Sequence, residues 1–277
     1  MELHAERKSV YYIVSAIILA ILAFLFTFPL YWIITGSFKD TMAINSATPQ
    51  WFPASPTLDN FARLFLKPAL RWLFNSVLIS VVAMALTCFT SAMAGYVLAK
   101  KRFWGKATLF TLIICAMALP KQVILIPLLK EMSFLGLHDT LAAVILPTVG
   151  WPFGVFLMKQ FSEGIPTELL EAVRIDGAGE FKVFTQIVLP IIKPGIGALA
   201  IFTFISSWND YFLQLIMLNS KNVLTISLGI AKLQTEMSND FGLIMAGAAL
   251  GAVPIIIIFL MFQKYFTQGI TMGAVKG

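Results

Sequence analysis

Long apolar stretches that contain no Asp, Glu, Lys or Arg recur along this chain. Four of them are uninterrupted, at residues 9–38, 72–99, 140–158 and 241–263. A helix needs roughly 20 residues to cross the hydrocarbon core of a bilayer, which is about 30 Å thick. The pattern therefore predicts four transmembrane helices. The first stretch is too long for a signal peptide and ends without a small-residue cleavage site, so we expect it to be retained.

Two further apolar segments carry polar residues. Residues 107–128 include Pro120 and Lys121, and the long Lys121 side chain can carry its charge to the outer interface. Another segment begins after Lys193 and Pro194 and continues to residue 217. Counting both, we expect an all-α membrane protein with six transmembrane helices, formed by residues 1–277 as a single transmembrane domain.

The composition favours a membrane protein over a soluble one. Hydrophobic residues make up 58% of the chain and charged residues 12%, whereas an ordinary soluble domain has about 25% charged residues. Membrane lipid must cover the surplus apolar surface. The net charge of +6 fits basic cytoplasmic loops, so we expect no nucleic-acid partner. Cys88 and Cys115 lie in apolar stretches and His4 and His138 stand apart, so no metal site of familiar spacing is expected.

Basic residues predict the orientation of the spans. Arg7 and Lys8 precede the first span, a dense basic cluster at 100–106 follows the second, and more basic residues separate the fourth from the fifth. Because Lys and Arg are retained in short cytoplasmic loops, both termini are predicted to be cytoplasmic. The outer loop at 39–71 carries four basic residues that run against this rule, and a surface helix is predicted near its residues 61–66.

The cytoplasmic segment at 161–194 is too regular for a simple connection. Pro166 suits the first turn of a helix, and Glu168 places a carboxylate near the positive end of the helix dipole. Gly177 and Gly179 supply residues free to take positive φ, after which residues 181–188 resume a helical pattern. The sequence predicts a helix, a glycine turn and a second helix, which together project from the membrane.

This segment resembles the loop signature of permease subunits of ABC importers. Glu171-Ala172-Val173, then Gly177, then Ile187-Val188-Leu189-Pro190 match every anchor position of that signature except the third, where Val replaces Ala. The resemblance implies the type I ABC importer permease fold and a coupling loop at 161–194 that docks on an ATP-binding subunit. The residues it assigns to docking are Glu171, Ala172, Val173, Asp176, Gly177, Ala178, Leu189 and Pro190.

Other segments resemble the carbohydrate-importing branch of that family. These are Trp208-Asn209-Asp210-Tyr211, Gly136-Leu137 ahead of Asp139-Thr140, and the ending Gly273-Ala274-Val275-Lys276-Gly277. Within that branch the chain is similar to the six-span maltose permease subunit, whose tail reaches the ATPase, and this implies docking contacts at Lys276 and Gly277. The resemblance also implies a bacterial or archaeal cell (inner) membrane as the location.

The same resemblance implies three partners: an ABC ATPase dimer, a second permease subunit that completes a heterodimer, and an extracytoplasmic solute-binding protein. The chain contains no G-x-x-x-x-G-K-[ST] phosphate loop, so ATP-Mg is expected on the partner ATPase, with no cofactor in this chain. We expect alternating access driven by ATP and a sugar or oligosaccharide as solute. Glycerol phosphate and polyols remain open.

Several residues admit a plainer interpretation. Glu171 and Asp176 also suit a solvated helix face. Asn209 and Asp210 either line the translocation path or are hydrated at the outer interface. The second interpretation follows from the position of Asp210, roughly 25 Å along the helix from Lys193 and so close to the outer interface. Trp208 and Tyr211 are predicted to be interfacial anchors.

The alternative to an ABC permease is a self-sufficient secondary transporter or channel. Such a protein is expected to carry charged relays at mid-depth, and none of the predicted spans has one. An enzyme is disfavoured because no nucleophile, base and orienting group can be assembled from these residues.

Overall fold

A computed structural model describes residues 2–236 and 240–274, with side chains placed for 11–236 and 240–263. In this part of the chain the regular structure is helical, without β-strands. The helices are, in chain order, α1 (Glu2–Ser37), α2 (Thr41–Ile44), α3 (Asp59–Phe65), α4 (Ala69–Lys100), α5 (Lys106–Met117), a 3-10 turn (Lys121–Ile124), α6 (Leu125–Phe134), α7 (Ala142–Val149), α8 (Pro152–Glu163), α9 (Thr167–Ile175), α10 (Glu180–Val183), a π turn (Phe184–Val188), α11 (Leu189–Ile191), α12 (Lys193–Trp208), α13 (Tyr211–Met217), α14 (Ile226–Glu236) and α15 (Phe241–Ala274).

The four uninterrupted apolar stretches are confirmed as helical, although the stretch at 140–158 is divided between α7 and α8. Each is long and apolar enough to cross a membrane, at Tyr11–Ser37, Ala69–Lys100, Ala142–Glu163 and Phe241–Gln263. Two bent helix pairs, Lys106–Met117 with Lys121–Phe134 and Glu180–Ile191 with Lys193–Trp208, raise the number of candidate spans to six if each pair is one span. The described residues thus carry four to six candidate spans.

Residues 107–128, predicted to form one span interrupted at Pro120 and Lys121, are not one continuous helix. Helix α5 ends at Met117, and the following helical segment is bent away from it by 100°. Pro120 explains the break, because a proline disfavours the helical conformation of the residue before it. The predicted span that ends at residue 217 is also broken: α12 ends at Trp208, and Asp210 caps α13 by accepting a hydrogen bond from the Leu213 amide.

The described residues form two compact units, and the first comprises 2–69, 230–236 and 240–252. The loop at 39–71, which is predicted to lie outside, contains α3, and this confirms the predicted short helix. The side-chain amide of Asn60 donates to the carbonyls of Ser37 and Lys39, at 2.9 and 2.7 Å. Arg63 on α3 pairs with Asp240 at 2.5 Å and with Asp59 at 2.9 Å.

These contacts give two basic residues of the outer loop a structural role. Lys39 is buried, and its ammonium group donates to the Gln50 carbonyl and lies 4.2 Å from the ring centre of Trp32. Burial lowers the pKa of Lys39. Lys39 and Arg63 are therefore held by specific partners, which accounts for two of the four basic residues in a loop predicted to lie outside.

The second unit comprises residues 70–229 and 253–274, and it contains both the 161–194 segment and the region around Asp210. Helices α4 and α8 pack closely in it, because a β-carbon on Gly95 would lie 2.6 Å from backbone atoms of Met158 and Lys159. Cys88, Ala92 and Tyr96, spaced four residues apart along one face of α4, enter a buried core together with residues of the 161–194 segment.

Candidate functional site

The segment at 161–194, the predicted coupling loop, folds as the sequence predicts, with a helix, a glycine turn and a second helix. Pro166 precedes α9, and Gly177 takes the left-handed conformation at φ +82°. The Gly177 amide donates to the Arg174 carbonyl and the Ala178 amide to the Val173 carbonyl, at 3.0 and 3.2 Å. This pair of bonds is the Schellman motif, which needs a left-handed residue just past the helix end. The positive φ expected of Gly179 is wrong, since this residue is extended at φ −69° and ψ 160°.

One face of α9 is anchored in the protein core. Leu170 is fully buried among Tyr96, Met158 and residues of α10 to α12. Three residues assigned to docking, Val173, Ala178 and Leu189, are half-buried against the same core. Their packing role follows from this burial, and their contact with an ATPase stays a prediction.

The other face of the coupling loop is exposed. Glu171, Ala172, Asp176, Gly177 and Pro190 all lie on the surface of the protein. Two large apolar residues lie beside them and were missed in the sequence: Ile175 is 86% exposed and Phe181 73% exposed. The helical period could have revealed Ile175, because Leu170 and Val173 already form the inner face of α9. Exposed apolar groups next to a carboxylate are typical of a protein-binding surface.

A cluster of charges, which no pattern in the sequence indicated, connects the coupling loop to the end of α4. The Glu180 carboxylate pairs with Lys101 at 2.5 Å and with Arg174 at 3.1 Å, and it accepts a 3.3 Å hydrogen bond from Tyr96. The Lys100 ammonium group donates to the carbonyl of Ile165 at 2.5 Å. The basic cluster after the second span and the loop after the fourth therefore lie at the same end of this unit, as the predicted orientation requires.

The pKa values of this cluster follow from its contacts. The hydrogen bond from Lys101 is the largest effect on Glu180 and, with the positive charge of Arg174, it outweighs partial burial and lowers the pKa of the carboxyl group. For Arg174, partial burial is the largest single effect and favours the neutral form, but the charge and the hydrogen bond of Glu180, together with Tyr96, outweigh it and raise the pKa. Both groups are therefore held in their charged forms.

The second candidate site is a cavity of about 350 Å³. Residues of α5, the 3-10 turn, α6, the α7–α8 junction, α12 and α13 line it. Asp210 and Lys121 lie on its wall with their charged atoms 3.8 Å apart, and Lys121 also donates to the Ser206 hydroxyl at 3.3 Å. Asn209 is exposed and lies outside the lining, so the structure separates the two residues that the sequence grouped together.

The tryptophan that precedes these residues is not an interfacial anchor. Trp208 is only 3% exposed and stacks on Phe204 with ring centres 5.6 Å apart. Tyr211, by contrast, is half-exposed. The predicted contacts of Lys276 and Gly277 lie outside the described residues. Within the described part of the chain, no group of three His, Cys, Asp or Glu side chains is arranged to hold a metal ion.

Comparison with known proteins gives consistent matches. The family model described as binding-protein-dependent transport system inner membrane component matches residues 91–272. The arabinooligosaccharides transport system permease protein AraQ of Halalkalibacterium halodurans is 38% identical over 262 residues, covering 93% of this chain and 94% of that protein. AraQ of Bacillus subtilis is 35% identical over 278 residues, covering 99% of each chain.

A solved structure shares the fold. It is a chain of a bacterial ABC transporter involved in the import of the acidic polysaccharide alginate, with a TM-score of 0.83. The two chains are 22% identical, and the match covers 93% of this chain and 96% of the other. At 22% identity, this similarity supports a shared fold and nothing beyond it.

Proposed function

This chain belongs to the family of binding-protein-dependent transport system inner membrane components, the multi-pass permease subunits of ABC transporters, and we propose that it forms part of the pore of an ATP-driven oligosaccharide importer. It is a non-catalytic membrane component. We propose that residues 1–277 act as one permease domain with both termini in the cytoplasm. Membership of this family disfavours the self-sufficient secondary transporter.

The proposed solute is a sugar or an oligosaccharide. Two relatives that match almost the whole chain are named as arabinooligosaccharide permeases, which supports this class of solute. No observation on this chain favours a polyol or glycerol phosphate. The proposal therefore names the oligosaccharide class and leaves the particular sugar to experiment.

The proposed partners follow from the mode of action. The energy comes from ATP-Mg bound by a separate ABC ATPase dimer. A second permease subunit completes the pore, and an extracytoplasmic solute-binding protein delivers the sugar to it. The description of the family as binding-protein-dependent supports the last of these partners. Membrane lipid surrounds the spans, whose apolar side chains are exposed over much of α1.

The observation that carries the proposal is the two-sided coupling loop. Its inner face is fixed in the core through Leu170, while Glu171 and Ala172 on the outer face are exposed. An exposed outer face of this kind can bind an ATPase. Because the inner face is packed in the core, a movement of α9 is passed on to the spans. Closure of the ATPase dimer on ATP binding would then move α9 and turn the pore outward, and hydrolysis would reset it.

A cross-linking experiment tests the docking. Ala172→Cys, in a chain whose native cysteines are replaced, places a thiol on the outer face of α9. A short thiol–amine cross-linker applied to membranes should join this chain to an ABC-type ATPase. Ser133→Cys, exposed on α6 at the end predicted to lie outside, is the matched control and should give no such product. Absence of an ATPase product at position 172 contradicts the docking proposal.

A further inference from the structure

The turn between α4 and α5 exposes a tryptophan side chain almost completely. This turn, residues 101–105, joins the candidate span that ends at Lys100 to the bent helix pair that starts at Lys106, so it lies at one end of the apolar region. Trp104 is 99% exposed, and Phe103 beside it is also exposed. Tryptophan is enriched where a membrane meets water. The turn is therefore expected at the level of the lipid headgroups, on the side predicted to be cytoplasmic.

A surface groove of about 750 Å³ opens beside this turn. Residues 103–110 and Leu112, together with Lys159 of α8, line it. Leu109 and Leu112 lie one turn apart on α5 and are both exposed, so an apolar strip continues from the groove along the helix. The groove thus combines a polar end with an apolar strip, which is the arrangement that the headgroup and the acyl chain of a phospholipid require.

Lys106 is a cation held in position in the groove lining. Its ammonium group donates to the carbonyls of Ala99 and Lys101, at 3.3 and 3.1 Å, which leaves one of its three N–H groups for a ligand. Among the described residues, Lys106 has no carboxylate partner. The other cation of the lining, Lys159, is already paired with Glu163. Lys106 is therefore the lining residue that can attract an anion.

Arg102 adds a second cation next to the groove. It is exposed, and within the part of the chain that the structure describes its guanidinium group has neither an ion pair nor a hydrogen bond. The guanidinium fork matches the oxygens of a phosphate group. Retention of basic residues in cytoplasmic loops explains why cations occur at this end of α4, but it does not require one to be fixed in the lining of a groove. The two uncompensated charges therefore favour an anionic ligand.

We propose that this groove is a binding site for an anionic phospholipid, with Lys106 and Arg102 contacting the headgroup and an acyl chain lying along Leu109 and Leu112. Basic pockets between transmembrane helices on the cytoplasmic side bind anionic headgroups in other membrane proteins. A soluble protein fits less well, because it would have to cover an apolar strip that runs along a candidate span. The proposal depends neither on the identity of the transported solute nor on docking of an ATPase.

The test measures lipid binding to the purified full chain in detergent by native mass spectrometry. Phosphatidylglycerol and phosphatidylcholine with identical acyl chains are the probes, so that only the headgroup differs between them. Arg102→Gln, Lys106→Gln and the double variant remove the cations, whereas Lys106→Arg keeps the charge. The matched control is Lys67→Gln with Arg71→Gln, because this pair removes the same charge near the other end of α4.

We expect the parent chain to bind phosphatidylglycerol more tightly than phosphatidylcholine. Each Gln substitution in the groove should weaken phosphatidylglycerol binding roughly 5-fold, as expected for a basic residue facing an anionic lipid. The Lys106→Arg variant and the control pair should bind like the parent. Because Arg102 has no partner among the described residues, its replacement tests the headgroup contact without removing an internal bond. Three results overturn the proposal: equal affinity of the parent for both lipids, unchanged phosphatidylglycerol binding by the double variant, or an equal loss in the control pair.

Discussion

Glu180 lies 2.5 Å from the ammonium nitrogen of Lys101, and this ion pair ties the coupling loop to the end of α4. Arg174, on α9, contacts the same carboxylate at 3.1 Å, so one acidic side chain holds two elements together. Below these charges, Leu170 and Tyr96 are buried in a common core. We infer that α9 and the end of α4 move as one body, which is what a coupling element requires.

The first prediction concerns this ion pair. Lys101→Gln should lower the amount of solute transported per ATP hydrolysed, because it loosens α9 from α4. Folding should change little, since the two side chains are 29% and 55% exposed and such pairs contribute no more than about 1 kcal/mol. Uptake and ATPase activity measured on the same reconstituted complex give the ratio. Lys182→Gln, an exposed lysine on the same loop, is the control, and an equal drop for both variants contradicts the coupling role of Lys101.

The second prediction uses the two glycines of the loop. Gly177→Val forces a β-branched residue into the left-handed region, at a cost of about 1–2 kcal/mol, although the space around it is open. We expect impaired ATPase docking and transport with normal membrane insertion. Gly177→Asn should retain most activity, because Asn tolerates this conformation. Gly179→Val is the matched control, since Gly179 is extended and equally free of neighbours. Normal transport by the Gly177→Val variant would contradict the claim that docking requires the left-handed turn at Gly177.

A third prediction concerns packing within the second unit. Gly95→Ala places a methyl group 2.6 Å from the backbone of Met158 and Lys159, so α4 and α8 must move apart. Overpacking of this kind destabilises by about 1–3 kcal/mol. Thermal unfolding in detergent should show a lower midpoint for this variant. Gly150→Ala, where nothing lies within 4 Å of the added carbon, should unfold like the parent, and equal stability of all three proteins contradicts the close packing.

A fourth prediction concerns Asp139, whose carboxylate accepts hydrogen bonds from the amides of Asn219 and Ser220 at 2.7 and 2.9 Å. Partial burial raises the pKa of Asp139, but the bonds from Ser220 and Asn219, with the charge of His138, outweigh it and lower the pKa below 3.8. The stabilisation of the folded protein by Asp139 is therefore complete at a pH above the unfolded-state pKa of this residue, and it disappears as the pH falls through the folded-state pKa.

Asp139→Asn should lower the free energy of unfolding at pH 7 by on the order of 1 kcal/mol, through loss of hydrogen bonds to a charged acceptor. The backbone should be unaffected, because Asp139 has φ +59° and Asn also accepts this region. Denaturant unfolding of both proteins at pH 7 and near pH 3 gives the comparison. A difference that persists undiminished in acid contradicts the role of the ionised carboxylate.

Local chemistry explains what was predictable from the sequence. Gly177 and Gly136 both take positive φ and both follow a helix, and in each case the next residue donates to a carbonyl five residues back. A glycine in this position is recognisable without any tertiary contact. The exposed face of α9 follows in the same way from the helical period.

Tertiary contacts explain what was missed. Trp208 was predicted at the membrane interface from its residue type, but its burial depends on how α12 packs. The cavity lining joins Lys121, Trp151 and Thr203, which lie far apart in the sequence. Likewise, the ion pair of Glu180 with Lys101 spans 79 positions, so no local pattern could have revealed it.

The most direct test of the central claim is purification of this chain from its native membrane in a mild detergent, with mass spectrometry of bound proteins and uptake assays in liposomes. We predict recovery of an ABC-type ATPase together with a second permease of the same family, and saccharide uptake that requires ATP and the solute-binding protein. Recovery of the chain alone, still moving solute in liposomes without ATP, would contradict the assignment as an importer subunit.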